Sequence, residues 1–377
     1  MDRTILHSDM NCFYASVEML HHPEHDGKPL AVGGDPEARH GIVLTANYIA
    51  KRAGVKTGMA LWQAKQACPS LVIMKPRMDL YLRFSRMANE IYSEYTDRCE
   101  SFGCDETWLD VTESTSIKGD GMAIARELSN RIKHELGVTV SIGVSWNKIY
   151  AKLGSDYKKP DAITEFNRYN YKDLVWKLPA ADLLYVGRST KKKLTHMGIH
   201  TIGGIATAPV GLLEQHLGKM GFVLHGFANG LDETPVSTEG YHAPIKSIGN
   251  STTTPRDLVN ELDVMLIMLA LSESVSARLR DNGFKCRVVE ISIRDNGLFH
   301  FSRQMVLNSP TNLTNEILDA AMCLFRKHYK WEHPIRSLGV RGAQLVTEDI
   351  PIQLSLFQDE RKREKLERMD RAVDEIR

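Results

Sequence analysis

With 377 residues, 42% of them apolar and 25% charged, the chain has globular composition, excludes the charge-rich, apolar-poor signature of disorder, and is long enough for roughly two to four compact units. A formal net charge of +1 excludes a whole-protein basic field, so nucleic-acid contacts have to come from local patches. The six cysteines form no C-x-x-C pair or metal-finger spacing, the start carries no signal-peptide pattern, and no apolar stretch nears the roughly 20 residues that cross a bilayer, so a cytoplasmic protein without a membrane partner is expected.

In chain order, residues 3–8 (RTILHS) predict a short strand ending at Asp9, and FYASVEML has helical spacing with Phe13, Val17 and Leu20 on one side. From about 30 to 75 the pattern predicts a small mixed insert: a strand (PLAVGG), a second apolar run (GIVLTA), a helix (NYIAKRAG) and helical pieces broken at Gly58 and Pro69. Residues 80–98 read as a long helix and ESFGCDETWLDVT as a strand pair interrupted near Asp105. Residues 121–136 read as an amphipathic helix ending at Gly137, and VTVSIGVS as a further strand. That alternation, with acids at strand ends, predicts an α+β palm-like sheet with its helices on one side.

Residues 170–232 are helical and punctuated by glycines. A new α/β unit starts after Pro244, with an apolar helix (259–281), strands (285–294 and 299–306), a helix (312–328) and a last strand near Ser337 to Leu345. Beyond Asp349 come PIQLSLF and a charge-mixed tail. Leu366, Met369, Val373 and Ile376 recur there at three- and four-residue spacing, which predicts a solvated helix or a segment ordered only on binding.

The strongest chemical signal is Asp9 at a strand end together with Asp105-Glu106, because polyphosphate chemistry needs clustered hard oxygen ligands for magnesium. The bland alternative is that Asp9 caps the following helix and the later pair are turn residues. Some 95 residues separate the first acid from the pair, so they meet only if the insert loops out and the strands return side by side. Adjacent strand residues point to opposite faces, so Asp105 and Glu106 share a site only where the strand bends, and Gly103 is placed to supply the bend.

Four motifs, HSDMNCFYASVE, TANYIAKRAGVKTGM, CDETWLD and SWNKIYAKLGSDYKKP, resemble in order and spacing the Y-family DNA polymerases, and within them the bacterial DNA polymerase IV group, over about residues 1–357. The resemblance implies an α+β multidomain right hand. Its parts are a palm (1–10 and 76–166), small fingers (11–75), a helix-hairpin-helix thumb (167–240), an α/β little finger (241–348), and a clamp-binding peptide with a charged tail (349–377).

It further implies Asp9, Asp105 and Glu106 as catalytic ligands of two magnesium ions, with the Met10 carbonyl completing the shell. Cys12, Phe13, Tyr14, Thr45, Tyr48, Lys51, Arg52 and Lys159 would form the nucleotide site, Tyr14 being the steric gate beneath the incoming sugar. Two departures stand out. Lys51-Arg52 replaces the usual Arg-Lys, which makes the phosphate contact less directional at 51, and Gly103, Cys104, Thr107 and Trp108 depart from the usual S-I-D-E-A-Y-L-D.

In the thumb, Gly187, Lys191 and Lys192 would meet DNA phosphates. In the little finger Arg278, Lys285, Arg287, Arg303, Arg336 and Arg341 lie on or beside its elements, and several would line one DNA-binding surface if the strands pair. Gln353-Leu354-Ser355-Leu356-Phe357 resembles the peptide that bacterial proteins insert into the DNA sliding clamp.

The implied activity is template-directed DNA synthesis by a monomer from primer–template DNA and deoxynucleoside triphosphates, of low fidelity, without proofreading, in lesion bypass and damage tolerance. The rivals are a nucleotidyl cyclase, which would turn over without primer, and a non-catalytic DNA- and clamp-binding scaffold, which would have no need of the three acids.

Overall fold

The computed structural model describes residues 2–35, 41–238, 240, 244–348 and 360–376. The chain forms two compact units, Met1–Gly34 with Ile42–Tyr241, and His242–Arg377.

The first unit opens with β1 (Ile5–Met10) and α1 (Phe13–His21), then β2 (Leu30–Gly33), β3 (Val43–Ala46), α2 (Tyr48–Arg52), α3 (Leu61–Ala67) and β4 (Val72–Met74). It continues through α4 (Met78–Ser93), β5 (Cys99–Ser101), β6 (Glu106–Asp110), α5 (Thr115–Lys118), α6 (Gly121–Arg131), β7 (Val140–Ser145), α7 (Lys148–Tyr157) and β8 (Ile163–Glu165). Strands β2, β3 and β4 make a small sheet of order β3-β2-β4 inside the insert. Its third member, only three residues between Pro69 and Pro76, is too short to show a period and was not predicted.

The main sheet has order β5-β6-β1-β7-β8, with β1 antiparallel to both neighbours, so the acid-bearing strands do return side by side around the looped-out insert. Every residue of β1 is buried, which requires cover on both faces. Leu6, Ser8 and Met10 face α1, α4 and α6, with the Ser8 hydroxyl 2.8 Å from that of Tyr92. Ile5 and His7 face α7, where His7 Nδ1 lies 2.8 Å from Ser155 Oγ. The expectation of helices on one side is therefore corrected. Helix α7 occupies the opposite face, and it can do so because Gly143 and Gly154 bring two backbones together with no side chain between them.

After β8 the unit ends in helices: α8 (Tyr171–Leu174), α9 (Arg188–His196), α10 (Ile202–Thr207), α11 (Val210–Leu217) and α12 (Lys219–Ala228), packed around Leu194, Ile202, Ile205, Leu213 and Leu224. Gly198, with φ +73°, turns the chain from α9, and the Thr201 hydroxyl caps α10 by accepting from the Gly204 amide.

The second unit contains β9 (Ser247–Leu258), α13 (Glu261–Asp281), β10 (Phe284–Asp295), β11 (His300–Thr311), α14 (Thr314–His328), β12 (Ile335–Thr347) and α15 (Glu360–Ile376). The strands form an antiparallel sheet of order β11-β10-β12-β9, with α13 and α14 over the face that carries Val289, Ile291, Ile293, Leu338 and Val340. Strand β9 escaped the sequence reading because SIGNSTTTPRDL is mostly polar. It is an edge strand, the position where an exposed Pro255 is tolerated.

The tail is a largely exposed helix, the first of the two states expected of it, and one side of it is docked. Helix α15 packs on α13, and Arg280, whose side chain is 4% exposed, donates to Asp374 at 2.6 and 3.0 Å, to Asp370 at 3.1 Å and to the Asn312 carbonyl at 2.7 Å. Arg363 adds a pair with Glu316 at 2.7 Å. Removing both carboxylates by Asp370→Asn/Asp374→Asn strands a buried guanidinium, at an expected cost of about 3 kcal/mol. Hydrogen exchange reads it directly: α15 amides lose protection in the double variant, and unchanged protection would show that Arg280 does not hold the helix.

Candidate active site

Strand register decides which acids meet. Asp9 stands opposite Glu106 on β6 and opposite Ser141 on β7, and the Met10 amide donates to the Asp105 carbonyl at 2.9 Å, which carries the ladder one residue beyond β6. Just before it Gly103 has φ +94°, the left-handed bend at which two adjacent acids can turn toward one site. Asp9 lies on the face covered by α7.

From α7 and the turn after it, Lys159 reaches Asp9 Oδ2 at 2.5 Å and Asp156 at 2.7 Å, while Lys152 pairs with Glu106. His7 is fully buried edge-on to Trp108, at 5.0 Å between ring centroids, with Nε2 3.3 Å from Glu106 Oε2 but outside hydrogen-bond geometry. Burial holds its pKa down at about 4, so the ring is neutral. Burial also raises the Asp9 carboxyl to about 6 against the pull of Lys159, with the charges of Glu106 and Asp156 adding to the rise. Burial pushes Glu106 the same way, but the paired ammonium of Lys152 outweighs it and the carboxyl falls to about 2. Asp105 is raised by burial and by the charge of Glu106.

The remaining positions divide. Tyr14 is half-buried, its ring stacked on Tyr81 at 4.3 Å and its hydroxyl 3.1 Å from Cys104 Sγ. Tyr48, at the start of α2, has its hydroxyl raised above the usual range by burial and by Cys12, and it also feels Lys159 and Asp9, so these four side chains share one neighbourhood. Thr45 is half-buried on β3. Lys51 lies over the Tyr48 ring at 4.9 Å, and Arg52 reaches back to the Tyr48 carbonyl at 3.4 Å. Phe13 is 2% exposed within the core, so only its backbone is available to a nucleotide. Cys12 adopts φ +48° at the start of α1.

In the helical segment Gly187 caps α9 with open space around it, and Lys191 and Lys192 are exposed on that helix. Two of the arginines of the second unit, Arg303 and Arg341, lie on opposite faces of its sheet. Arg341 pairs across strands with Glu290 on the face away from the helices, beside Ser251, Ser292 and Gly339. Arg303 stands opposite Ile291, whose side chain points into the helical core, and lies with Phe301 at the α14 end. Arg287 and Arg336 fall at irregularities of register. Arg278 donates to the Gly249 carbonyl at 3.1 Å and Lys285 pairs with Glu367 at 3.8 Å. Residues 353–357 lie outside the described residues.

Sequence reasoning missed His7, Lys152, Ser155 and Asp156. A signal existed: Lys152, Asp156 and Lys159 recur at four- and three-residue spacing, a stripe whose two lysines reach Glu106 and Asp9.

Residues 8–156 match the impB/mucB/samB family, residues 245–356 the C-terminal domain of that family, and residues 181–232 the thumb domain described for DNA polymerase-iota. The DNA polymerase IV of Acetivibrio thermocellus is 53% identical over 377 residues, covering 100% of this chain and 94% of that protein. The chain belongs to the DNA polymerase IV group of the Y-family DNA polymerases. DNA polymerase IV 1 of Bacillus subtilis is 38% identical over 370 residues, covering 97% and 89% of the two chains. A solved Y-family DNA polymerase chimera superposes with a TM-score of 0.79 at 24% identity over 91% of this chain and 99% of that one, a likeness of fold.

The polymerase is a DNA-directed DNA polymerase whose substrates are DNA and nucleotides, and its family depends on a divalent metal. Among the described residues no three His, Cys, Asp or Glu side chains converge in metal-binding geometry, and Lys152 and Lys159 each hold one acid. The donor set nonetheless suits a hard divalent cation. Four carboxylates (Asp9, Asp105, Glu106, Asp156) face two ammoniums (Lys152, Lys159), which leaves two negative charges unbalanced when all are ionised. Among the described residues no helix is long and apolar enough to cross a membrane.

Proposed function

We propose that this polymerase extends primers across damaged template positions with low fidelity, using magnesium held by Asp9, Asp105, Glu106 and the Met10 carbonyl. The observation that carries the reading is the cross-strand pairing of Asp9 with Glu106 beside Asp105, on the sheet face where Lys152 and Lys159 stand. Two such ions, when bound, would lower the pKa of the primer 3′-hydroxyl and neutralise the triphosphate and its leaving group.

The protein's own groups supply the rest. Lys159 is held near Asp9 and Tyr48, where an ammonium can exchange its carboxylate for a phosphate oxygen, with Thr45, Lys51 and Arg52 completing a cationic and hydroxyl-rich rim. Tyr14, backed by Tyr81, sits as a steric gate under the sugar. Exposed Lys191, Lys192 and the Gly187 end of α9 offer sequence-independent phosphate contacts, and Arg341 does the same from the open sheet face of the second unit. Residues 353–357 supply a clamp-binding peptide, whose tethering would raise the local concentration of a monomeric enzyme at primer ends in the cytoplasm.

Primer extension tests the proposal. The wild-type protein is expected to extend a primed template and a template carrying an abasic site with Mg2+, to stop in chelator, and to misincorporate readily. Product from triphosphate without primer would favour a cyclase. DNA binding with no extension under any divalent metal would favour a scaffold.

A further inference from the structure

The cysteine before the acidic pair is where this chain departs from the usual motif, and the structure gives it a partner. Tyr14 and Glu18 are four residues apart on α1 and so share a face. The Tyr14 ring stacks at 4.3 Å and 13° on Tyr81, which is fully buried and donates its hydroxyl to Glu18 Oε1 at 2.5 Å. Glu18 is itself buried and pairs with Arg77, with Arg77 Nε donating at 3.0 Å. The face of the ring therefore rests on a platform anchored through the fully buried Glu18 carboxylate, which the partly exposed Arg77 holds from the solvent side. Stacking alone leaves the ring free to slide over Tyr81. Among the described residues its far edge is fixed by one hydrogen bond, the 3.1 Å bond between the Tyr14 hydroxyl and Cys104 Sγ. Cys104 sits between Gly103, at φ +94°, and Asp105, so it belongs to the bend that sets the acids.

We propose that Cys104 is a specificity-determining positioning residue: by holding the Tyr14 hydroxyl it keeps the ring under the sugar of the incoming nucleotide and strengthens exclusion of ribonucleotides. This rests on the reading of Tyr14 as the steric gate. An unpinned ring can yield to a 2′-hydroxyl, whereas a pinned one clashes with it. The usual isoleucine at position 104 would offer no such bond.

The test is kcat/KM for dCTP and rCTP opposite a template guanine with the full-length enzyme. Cys104→Ala is expected to raise the ribo-to-deoxy ratio about five-fold, the weight of one net side-chain hydrogen bond. Cys104→Ser, which keeps a donor and acceptor at nearly the same point, returns most of the discrimination. Tyr14→Phe keeps the ring but loses the hydroxyl, so in that background Cys104→Ala adds nothing further. A Cys104→Ala ratio at the wild-type level, or an undiminished effect in the Tyr14→Phe background, would overturn the proposal. Tyr14→Ala separates the two readings. If it raises the ratio while Cys104→Ala does not, only the tether is wrong. If Tyr14→Ala leaves the ratio unchanged, the gate itself is misassigned and the tether falls with it.

Discussion

An Asp9→Asn enzyme is expected to incorporate nucleotide on the order of 10³-fold more slowly than wild type, the equivalent of several kcal/mol of charge stabilisation lost at the reacting phosphate. Asparagine preserves the shape of a residue that is 6% exposed, so the sheet has no reason to rearrange. What disappears is the negative charge, together with one of the two carboxylates that hold Lys159. The same substitution carries a second signature of opposite sign. Burial gives the folded-state Asp9 a pKa near 6, above its usual 3.8, so between those values the folded chain binds more protons than the unfolded one. In cation-free buffer this group's contribution is fully present below pH 4 and is lost as pH rises through about 6. Glu106, lowered to about 2 from 4.5, acts oppositely and only below about pH 4.5, so the two windows barely overlap. Above pH 6 the Asn variant should therefore melt higher than wild type while being nearly inactive, and the difference should shrink on acidification. Stopped-flow incorporation and melting curves between pH 5 and 8 measure both. An active Asn variant would remove Asp9 from the catalytic set.

Gly143→Ala is expected to cost more than about 3 kcal/mol, at or beyond the top of the range for overpacked cores. A Cβ there would lie 1.8 Å from the Ala151 carbonyl oxygen and 2.5 Å from the Ser155 nitrogen. These are backbone atoms of α7, so no rotamer change relieves the clash and the helix has to lift from the sheet. Gly154 faces back across the same gap, its own Cβ position 2.9 Å from Gly143 Cα. Lifting α7 withdraws Lys152, Ser155 and Asp156, and Lys159 follows directly after, so activity should fall with stability. Gly211→Ala is the control: it lies in α11 with nothing within 4 Å, and a helical glycine exchanged for alanine stabilises by about 0.5–1 kcal/mol. A Gly143→Ala protein that melts like wild type would mean that α7 and β7 do not meet backbone to backbone.

These two sites mark how far the sequence could be read. That Asp9 would meet Asp105 and Glu106 was legible because the motifs carrying the resemblance to the Y-family polymerases contain all three. The bend at Gly103 was legible because only a positive-φ residue lets neighbouring acids turn together. Cover of the second sheet face was not. It depends on Gly143 and Gly154 lacking side chains, and a missing atom leaves no apolar period to count. Strand β9 was hidden for a related reason, since an edge strand that faces water needs no apolar alternation. The faces of Arg303 and Arg341 were not legible: one residue of parity decides whether they point the same way, and the register that sets it, with irregularities near Cys286 and Arg294, is invisible in composition.

The docking of α15 ties the described residues on either side of segment 349–359 into one unit. On one side of that segment Glu348 is fastened by Arg371 at 2.9 Å and by the Gly283 carbonyl at 3.0 Å. On the other, α15 is riveted through Arg280 and Arg363. Both moorings belong to the same unit. A load on α15 is therefore carried into α13 through Arg280, and into the end of β12 through Arg371 and Glu348, at the same time.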